Sequence, residues 1–370
     1  MRLQRPIQIL LLACLSLIWS MPARGQEVDL LEVLRVKESL TFCGESVPLE
    51  IPHVRERFEK AMLLALSDRA QALLWIKRAP RYLPLIEEIL SDHGMPADLK
   101  YLAVAESALL PHAGSAKGAM GFWQLMPETA RKFGLRVDTF IDERRNIQLS
   151  TPAALRCLEA LHSQFSSWTL AAAAYNMGEE GLTAEILEQN TRDYYNLYLS
   201  LETQLFVFRV LAVKLILGDP KQYGFDVQST DLYEPLKFDT VEMDCFQDTP
   251  IRIVAQAAGT FFKTVKDLNP HLRGYYLQPG HFKINLPQGG AEGFLPNFKA
   301  LVAKHRDEMQ TRTYIIRQGD SLSEIAERFE VPLAALLIWN RIGLNHPIHP
   351  GDRLVVYPGI KNHEEKEKIR

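Results

Sequence analysis

The sequence has no excess of basic residues. Its 42 Lys and Arg stand against 45 Asp and Glu, which gives the 370-residue chain a net charge of −3. Proteins that bind nucleic acid neutralise phosphates with clustered basic side chains, so the charge balance argues against a nucleic-acid partner. The sequence also lacks CxxC and HExxH motifs, and its ten His are scattered. We therefore expect no metal site and assign no cofactor.

Long hydrophobic runs are also missing, since a bilayer span takes about 20 apolar residues. The apolar run 7–19 follows Arg2 and Arg5 and precedes a small-x-small sequence at 23–25. A charged start, a short apolar segment and such a cleavage site indicate a signal peptide, residues 1–25. Loss of its three Arg would take the net charge from −3 to −6. We expect an exported protein of the periplasm or cell envelope.

An alternative interpretation treats Leu11-Leu12-Ala13-Cys14 as a lipoprotein box. Lipidation at Cys14 would associate the protein with the outer membrane. Against this alternative, the apolar run continues past Cys14 to Trp19, and Leu12 is bulky for its place in the box. We therefore favour cleavage after Gly25 over lipidation.

Cysteine is scarce, with four residues in the whole chain. Cys14 belongs to the expected signal peptide, so Cys43, Cys157 and Cys245 remain after cleavage. An exported compartment permits disulfides, but three cysteines allow three different single pairs and leave one thiol over. The sequence does not choose among these pairs.

One region of the chain shows helical patterns in close succession. Apolar residues after Pro84 share one helix face, and Pro127 and Pro152 suit the first turns of two further helices. The segment 201–217 is long and apolar. We expect an all-α domain at 81–230, preceded by a helical extension at 26–80.

An internal repeat follows the helical region. Residues 247–287, shifted by 71 positions, fall on 318–358 without a gap, and Asn269 thereby meets Asn340. Each copy has the length of one small βααβ module. The Ser321-Leu-Ser-Glu324 sequence is a capping box that opens a helix of the second copy. The expected units are a module at 240–290, a helical linker at 291–311, a second module at 312–358 and a charged tail at 359–370.

Glu106 is the first candidate for a catalytic group. It lies among Leu102, Ala103 and Ala105 near the predicted end of a helix. Burial and the negative end of the helix dipole both disfavour a charged carboxylate, so its pKa should rise toward the range of a general acid. From this helix alone, the alternative is a solvent-facing Glu that pairs with a Lys or Arg side chain.

Two further segments add polar groups beside small residues. Residues 112–121 are rich in Gly, Ala and Ser, which allows a ligand to approach the backbone. They lead into Phe122-Trp123-Gln124-Leu-Met126-Pro127, and Ala174-Tyr175-Asn176-Met-Gly178 ends a later helix. Taken singly, each segment is more often packing or capping than a binding site.

Together, these motifs resemble lytic murein transglycosylases, above all the membrane-bound D type, over about residues 80–217. The unit at 313–357 resembles a LysM carbohydrate-binding module through Gly319-Asp320-Ser321 and Trp339-Asn340, and the first copy resembles a degenerate one. The resemblance implies a mainly α chain: a lysozyme-like, SLT-type all-α catalytic domain followed by two small βααβ LysM-like modules.

The resemblance also implies roles for individual residues and peptidoglycan glycan strands as the partner. Glu106 would protonate the bond between N-acetylmuramic acid and N-acetylglucosamine, then take the proton of the muramyl 6-hydroxyl as a 1,6-anhydro ring closes. No second carboxylate is required, unlike in ordinary glycosidases. Asp138, Asp142 and Glu143 are interpreted as surface charges. The implied substrate-binding residues are Ser107, Ser115, Phe122, Gln124, Met126, Tyr175, Asn176 and Phe206, and the implied LysM glycan-binding residues are Gly319, Asp320, Ser321 and Asn340.

One position departs from the family pattern. Where the family has Glu-Thr-x-x-Tyr, this chain has Glu202-Thr-Gln-Leu-Phe206. Loss of one hydrogen bond to a charged group costs about 1.5–3 kcal/mol. Tyr194, Tyr195 or Tyr198 could supply a hydroxyl instead. A weakened or inactive wall-binding scaffold is therefore the alternative to an active enzyme, and a hydrolase that releases reducing ends is a third hypothesis.

Overall fold

A computed structural model describes residues 29–35, 39–311 and 313–357. The expected signal peptide, the lipidation position Cys14 and the charged tail lie outside the described residues. In the described part, helices dominate and strands occur only as two-stranded antiparallel pairs. The expected mainly α chain with two small strand-containing modules is confirmed. Among the described helices, none is both long and apolar enough to cross a membrane.

The helical domain, as we call residues 39–225, has one continuous apolar core. Its central helix packs against four other helices and is apolar on nearly all sides, which is typical of a buried helix. In chain order, starting with a short helix ahead of the domain, the elements are α1 (Leu30–Val33), β1 (Thr41–Phe42), β2 (Glu45–Ser46), α2 (Pro52–Ser67), α3 (Arg69–Asp92), α4 (Lys100–Ser107), α5 (Pro127–Lys132), α6 (Ile147–Phe165), α7 (Trp168–Met177), α8 (Glu179–Gln189) and the central α9 (Leu201–Gly218).

Helix α3 runs through the boundary expected between residues 80 and 81. Pro80 and Pro84 lie inside it, although proline removes a backbone donor and usually ends a helix. The buried Ile76, Leu83 and Ile86 continue on one face across both prolines, so packing carries the helix past them. The extension expected at 26–80 and the all-α domain consequently share one core.

Helix α6 begins four residues before the expected start at Thr151. The Asn146 side chain accepts hydrogen bonds from the backbone N–H groups of Gln148 and Leu149 and caps the helix there. Pro152 therefore lies within the helix. The hairpin β1–β2 and helix α8 were not anticipated from the sequence.

Two modules follow the helical domain, each with an antiparallel strand pair and two helices between the paired strands. Module A, residues 238–311, contains β3 (Phe238–Cys245), β4 (Thr249–Pro250), α10 (Ile251–Ala257), α11 (Phe262–Leu268), β5 (Tyr276–Leu277), β6 (Gly280–Pro287) and α12 (Phe294–Thr311). Module B, residues 313–357, contains β7 (Thr313–Ile315), α13 (Leu322–Arg328), α14 (Leu333–Asn340) and β8 (Arg353–Val355). In module A, β3 pairs with β6; in module B, β7 pairs with β8.

Helix α12 covers the segment expected to be a linker. Its Phe294 and Phe298 are buried in the core of module A, where their rings stack at 5.6 Å. The segment thus contributes to the core of module A.

The repeat shows one equivalent asparagine in each module, buried in module A and half-buried in module B. In module A, Asn269 Nδ2 donates to the carbonyls of Val265 (2.8 Å) and Asn285 (2.7 Å), and its Oδ1 accepts from Asn285 N. In module B, Asn340 makes the same three bonds with Leu336 and Val355. Val355 lies 70 residues after Asn285, so the offset of 71 does not hold through the last strand. The gapless match to position 287 is therefore wrong by one residue there, and Pro358 lies outside the described residues.

Module A is attached to the helical domain through its backbone. Residues 138–142 run antiparallel to 271–273, with Asp142 N donating to His271 O (2.9 Å) and Arg273 N donating to Phe140 O (2.7 Å). Module B contacts module A through an ion pair between Arg341 and Asp248 (2.6 Å). Cys43, Cys157 and Cys245 are all free thiols.

Candidate active site

A cavity of about 660 Å³ opens in the helical domain. It is lined by the end of α4, the loop that precedes α5, the end of α7 and the start of α9. Six of the predicted site residues line it together: Glu106, Ser115, Gln124, Met126, Tyr175 and Asn176. The topology thus brings together side chains that are up to 70 positions apart in sequence.

Glu106 lies in the last turn of α4, which ends at Ser107. Burial raises the pKa of its carboxyl from 4.5 to about 7; the nearby carboxylate of Glu202 adds to the rise, and Arg209 opposes it. No hydrogen bond from a described residue contributes to this pKa. Near neutral pH, the carboxyl therefore exists in both protonation states, as a group that gives and then takes a proton requires.

The loop between α4 and α5 is held by its own polar groups. Ser115 Oγ accepts from Ala119 N (3.1 Å), and Gln124 Nε2 donates to the carbonyls of Ala113 and Gly121 (both 2.9 Å). Gln124 also has a positive φ of 47°. Because both amide protons of Gln124 serve the backbone, its carbonyl oxygen is the group left to bind a ligand.

Helix α7 contributes two polar groups to the opposite wall. Tyr175 OH donates to Trp123 O (2.6 Å), and Asn176 Oδ1 accepts from Thr203 Oγ1 (2.9 Å). The amide nitrogen of Asn176 remains for a ligand. Burial raises the pKa of Tyr175 well above its usual value, so this phenol stays protonated.

The start of α7 is fixed by a residue that the sequence did not single out. The carboxylate of Glu45, in β2, accepts hydrogen bonds from Ser167 Oγ and from the backbone N–H groups of Trp168 and Thr169. A carboxylate at a helix N-terminus satisfies free donors and complements the dipole. Glu45 lies more than 100 residues from α7 in sequence, and no local pattern connects them.

Two parts of the chain match known domain families. Residues 84–198 match the transglycosylase SLT domain, and residues 314–356 match the LysM domain. The chain carries an SLT domain and a LysM domain. The SLT match contains the last turns of α3 and both walls of the cavity except α9, and the LysM match coincides with module B.

Two relatives support this assignment by sequence. The chain is 29% identical over 332 residues to membrane-bound lytic murein transglycosylase D of Escherichia coli strain K12, covering 86% of this chain and 72% of the relative. It is 37% identical over 107 residues to peptidoglycan transglycosylase gp16 of Escherichia phage T7, covering 28% of this chain and 8% of the relative. The crystal structure of the soluble lytic transglycosylase SLT70 of Escherichia coli is similar at 20% identity with a TM-score of 0.33, covering 48% of this chain and 33% of that one.

Three predicted substrate-binding or family-motif residues of the SLT domain do not line the cavity. Ser107 is buried and donates to the carbonyls of Ala103 and Phe122. Phe122 packs edge-on against Tyr82 at 5.1 Å and lines a different cavity, between the SLT domain and module A. Phe206 is buried in the apolar core, with the Arg209 guanidinium 5.5 Å from its ring centroid.

One of the charges interpreted from sequence as surface charges, Asp142, is buried together with Arg144. Asp142 and Arg144 form a bidentate pair at 2.8 and 2.9 Å. Arg144 Nη1 also donates to the carbonyls of Gly118 and Leu125. The pair is buried because the guanidinium of Arg144 donates to backbone carbonyls of the cavity loop. These contacts cannot be inferred from the sequence, in which both residues belong to a run of four charged residues.

Gly121 is required by the protein and not by a ligand. Its φ is +82°, and a Cβ atom there would lie 1.9 Å from the carbonyl oxygen of Arg144. At Gly118, with a φ of +93°, a Cβ atom would meet nothing within 4 Å. From sequence, we expected the small residues of this loop to allow close approach of a ligand. Gly121 instead allows close approach of the Arg144 backbone.

Two further carboxylates line the cavity, those of Glu179 and Glu202. Glu202, in the first turn of α9, faces the same space as Glu106 and raises its pKa. Sequence reasoning treated Glu202 only as part of the motif that ends at Phe206. Glu202 lies at the start of an apolar helix, where an acidic residue interacts favourably with the helix dipole. This position could have indicated from sequence that Glu202 lies at a helix end.

The alternative tyrosines do not replace the missing hydroxyl. Tyr194 OH donates to the carbonyls of Thr203 and Gln204, and Tyr195 OH is buried without a partner among the described residues. Tyr198 is 80% exposed. Tyr175 is the one described tyrosine that lines the cavity. Its hydroxyl already donates a hydrogen bond to Trp123 O.

In the LysM domain, the motif residues build the framework. Asp320 accepts from Tyr314 OH (2.6 Å) and Arg317 N (2.8 Å) and pairs with Arg328 at 3.0 Å. Ser321 and Glu324 form the expected capping box, Asn340 joins α14 to β8, and Gly319 adopts a φ of +90°. Their role in glycan binding remains a prediction.

Proposed function

We propose that this protein is a peptidoglycan lytic transglycosylase that cleaves the β-1,4 bond after N-acetylmuramic acid with Glu106 as its only proton-transferring group. The observation that carries the proposal is a carboxyl with a pKa of about 7 and no hydrogen-bond partner among the described residues, at the wall of a cavity lined by amide and hydroxyl groups. The relatives named for murein and peptidoglycan transglycosylases agree with this substrate class.

The proposed reaction uses Glu106 twice. The protonated carboxyl gives its proton to the glycosidic oxygen as the bond to C1 of the muramyl residue breaks. The resulting carboxylate takes the proton of the 6-hydroxyl of the same sugar, whose oxygen closes on C1. The products are a free 4-hydroxyl and a 1,6-anhydro end, and Glu106 is protonated again. The carbonyl oxygen of Gln124 and the amide nitrogen of Asn176 would bind the N-acetyl groups.

A hydrolase is the second candidate, because Glu202 supplies the second carboxylate that ordinary glycosidases need. Glu202 lies in the first turn of α9 and lines the same cavity as Glu106. A hydrolase would release reducing ends, whereas the transglycosylase product is lighter by one water.

The deciding experiment is digestion of intact sacculi followed by mass spectrometry of the soluble products. We expect anhydro products from the wild type and a loss of about 100- to 10,000-fold in Glu106→Gln. The Glu202→Gln variant, matched in size and charge change, should keep the anhydro product. Reducing ends that disappear in Glu202→Gln would favour the hydrolase. Binding to sacculi without any soluble product in the wild type would favour the scaffold that Phe206 suggested.

The LysM domain and the expected export complete the proposal. A weak wall-binding module would hold the SLT domain near its substrate and raise the local substrate concentration. An envelope location agrees with a murein substrate. The signal peptide and the alternative lipid anchor at Cys14 remain predictions.

A further inference from the structure

A groove of about 330 Å³ lies where the SLT domain, module A and the LysM domain meet. It is separate from the catalytic cavity, with which it shares no lining residue. It also includes none of the four LysM motif residues. The residues that carry the argument are Phe140 of the SLT domain, Arg273, Tyr275 and Tyr276 of module A, and Ile338 and Arg341 of the LysM domain.

The walls of the groove are held in place by contacts between the three units. Arg273 N donates to Phe140 O (2.7 Å), and its guanidinium donates to Asp138 O (3.1 Å). On the LysM side, Arg341 lies 4.0 Å from the centroid of the Tyr276 ring, and Tyr276 OH donates to Trp339 O (3.3 Å). The groove is thus built before any ligand arrives, which lowers the cost of binding.

Apolar surface in the groove remains open to solvent. Tyr275 is 52% exposed, although its ring stacks on Phe262 with centroids 5.6 Å apart. Ile338, on the facing helix α14, is 41% exposed. A supported, exposed aromatic ring beside an aliphatic side chain provides a flat apolar platform, as in most ligand sites.

The charge of the groove has one sign. Arg273 and Arg341 line it, and none of the described residues that line it is acidic. The Lys266 ammonium adds a third cation nearby, since it donates to the carbonyl of Gly274 in the groove wall. Asp248 outside the groove offsets part of the charge of Arg341, and the five donors of each guanidinium exceed the bonds already made. The site therefore complements a ligand with one flat apolar face and a carboxylate.

We propose that this groove binds muramyl peptides, in which an amino-sugar ring carries a peptide with free carboxylates. The sugar ring lies on Tyr275, and the carboxylate pairs with the guanidiniums. The inference rests on the proposed function for its substrate class and adds a second binding site for the same polymer. The groove would select wall that bears peptides over neutral glycan.

The test uses the full chain with Glu106→Gln, so that binding is measured apart from cleavage. The protein is labelled with fluorotyrosine, and the Tyr275 fluorine signal is assigned with Tyr275→Phe. A disaccharide tetrapeptide with free carboxylates should shift this signal, while neutral chitotetraose should not. Arg273→Gln should weaken the response about fivefold, and salt should weaken it further. The exposed Arg317, outside the groove, provides the matched control Arg317→Gln, which should change nothing.

Three outcomes would overturn the inference. The Tyr275 signal could stay fixed while that of Tyr175 in the catalytic cavity shifts, chitotetraose could shift Tyr275 equally, or Arg273→Gln and Arg317→Gln could behave alike. Cleavage of sacculi by the wild type without a Tyr275 response leaves the proposed function standing and removes this site. If Tyr275 responds but the wild type never cleaves sacculi, the binding site stands and the proposed function is removed.

Discussion

The catalytic cavity and the LysM domain use their motif residues in opposite ways. In the cavity, Gln124 and Asn176 each bind the protein with one end of an amide and leave the other end free, and Glu106 has no hydrogen-bond partner among the described residues. In the LysM domain, Asp320 and Asn340 are engaged within the module at several atoms. A motif residue can therefore mark either a ligand contact or the framework, and its hydrogen bonds tell the two apart.

The sharpest test of the framework around the cavity is a pair of glycines. Gly121→Ala places a Cβ atom 1.9 Å from Arg144 O, so Arg144 and the loop must move. We expect a loss of about 4 kcal/mol or more of unfolding free energy, the range of severe mutations. Gly118→Ala has the same positive φ but open space and should cost about 1–2 kcal/mol. Urea unfolding of both variants checks this, and equal losses would show that conformation alone decides.

The next largest effect should come from the two equivalent asparagines. Asn340→Ala removes three hydrogen bonds in the LysM domain and Asn269→Ala removes three in module A, at about 2–3 kcal/mol each. Hydrogen exchange of the full chain should show lost protection in residues 314–356 for the first variant. For the second, lost protection should reach 138–142, because that segment pairs with module A. Unchanged protection in 314–356 would contradict a framework role for Asn340.

The pH dependence of cleavage tests the cavity side of the comparison. A general acid must be protonated, and the pKa of Glu106 is raised to about 7. Cleavage should therefore fall by about tenfold per pH unit above pH 7. For stability the sign is the same: a carboxyl whose folded pKa is raised costs folding free energy as the pH rises from 4.5 to 7. Glu106→Gln should remove that part of the pH dependence of unfolding, and a wild-type rate that is flat to pH 9 would contradict the assignment.

The smallest effect concerns the capping box of the LysM domain. Ser321→Ala removes the bond that Ser321 Oγ accepts from Glu324 N and should cost about 1 kcal/mol. In module A, the matching helix α10 starts after Pro250 without any side-chain cap. Thermal unfolding of Ser321→Thr, which keeps the cap, is the control. Equal losses in both variants would mean that the cap does not stabilise the module.

The sequence predicted the helices where local signals are strong. Pro127 at a first turn and the capping box placed α5 and α13 correctly, and the order of motifs indicated the SLT and LysM domains. It misplaced elements where a distant contact overrides a local signal. The packing of Ile76 and Ile86 carries α3 through two prolines, and the cap at Asn146 starts α6 early.

The candidate site was only partly predictable for the same reason. Six predicted residues line one cavity, because the ends of α4 and α7 converge there with the loop that precedes α5. Phe122 turns to the other side of its loop, and the charges of Asp142 and Arg144 are buried by carbonyls of the cavity wall. The contribution of Glu45 comes from a hairpin far away in sequence. Such contacts depend on tertiary packing, which spacing along the chain does not encode.

The backbone pairing of residues 138–142 with module A has a mechanical consequence. Tension on the LysM domain would pass along the backbone into module A and then through His271 to Asp142. Asp142 holds Arg144, and Arg144 holds the carbonyls of Gly118 and Leu125 beside the cavity. Tension on the LysM domain would therefore reach the loop that carries Ser115 and Gln124, which line the cavity. The cavity would thus be strained by any force that acts on the LysM domain.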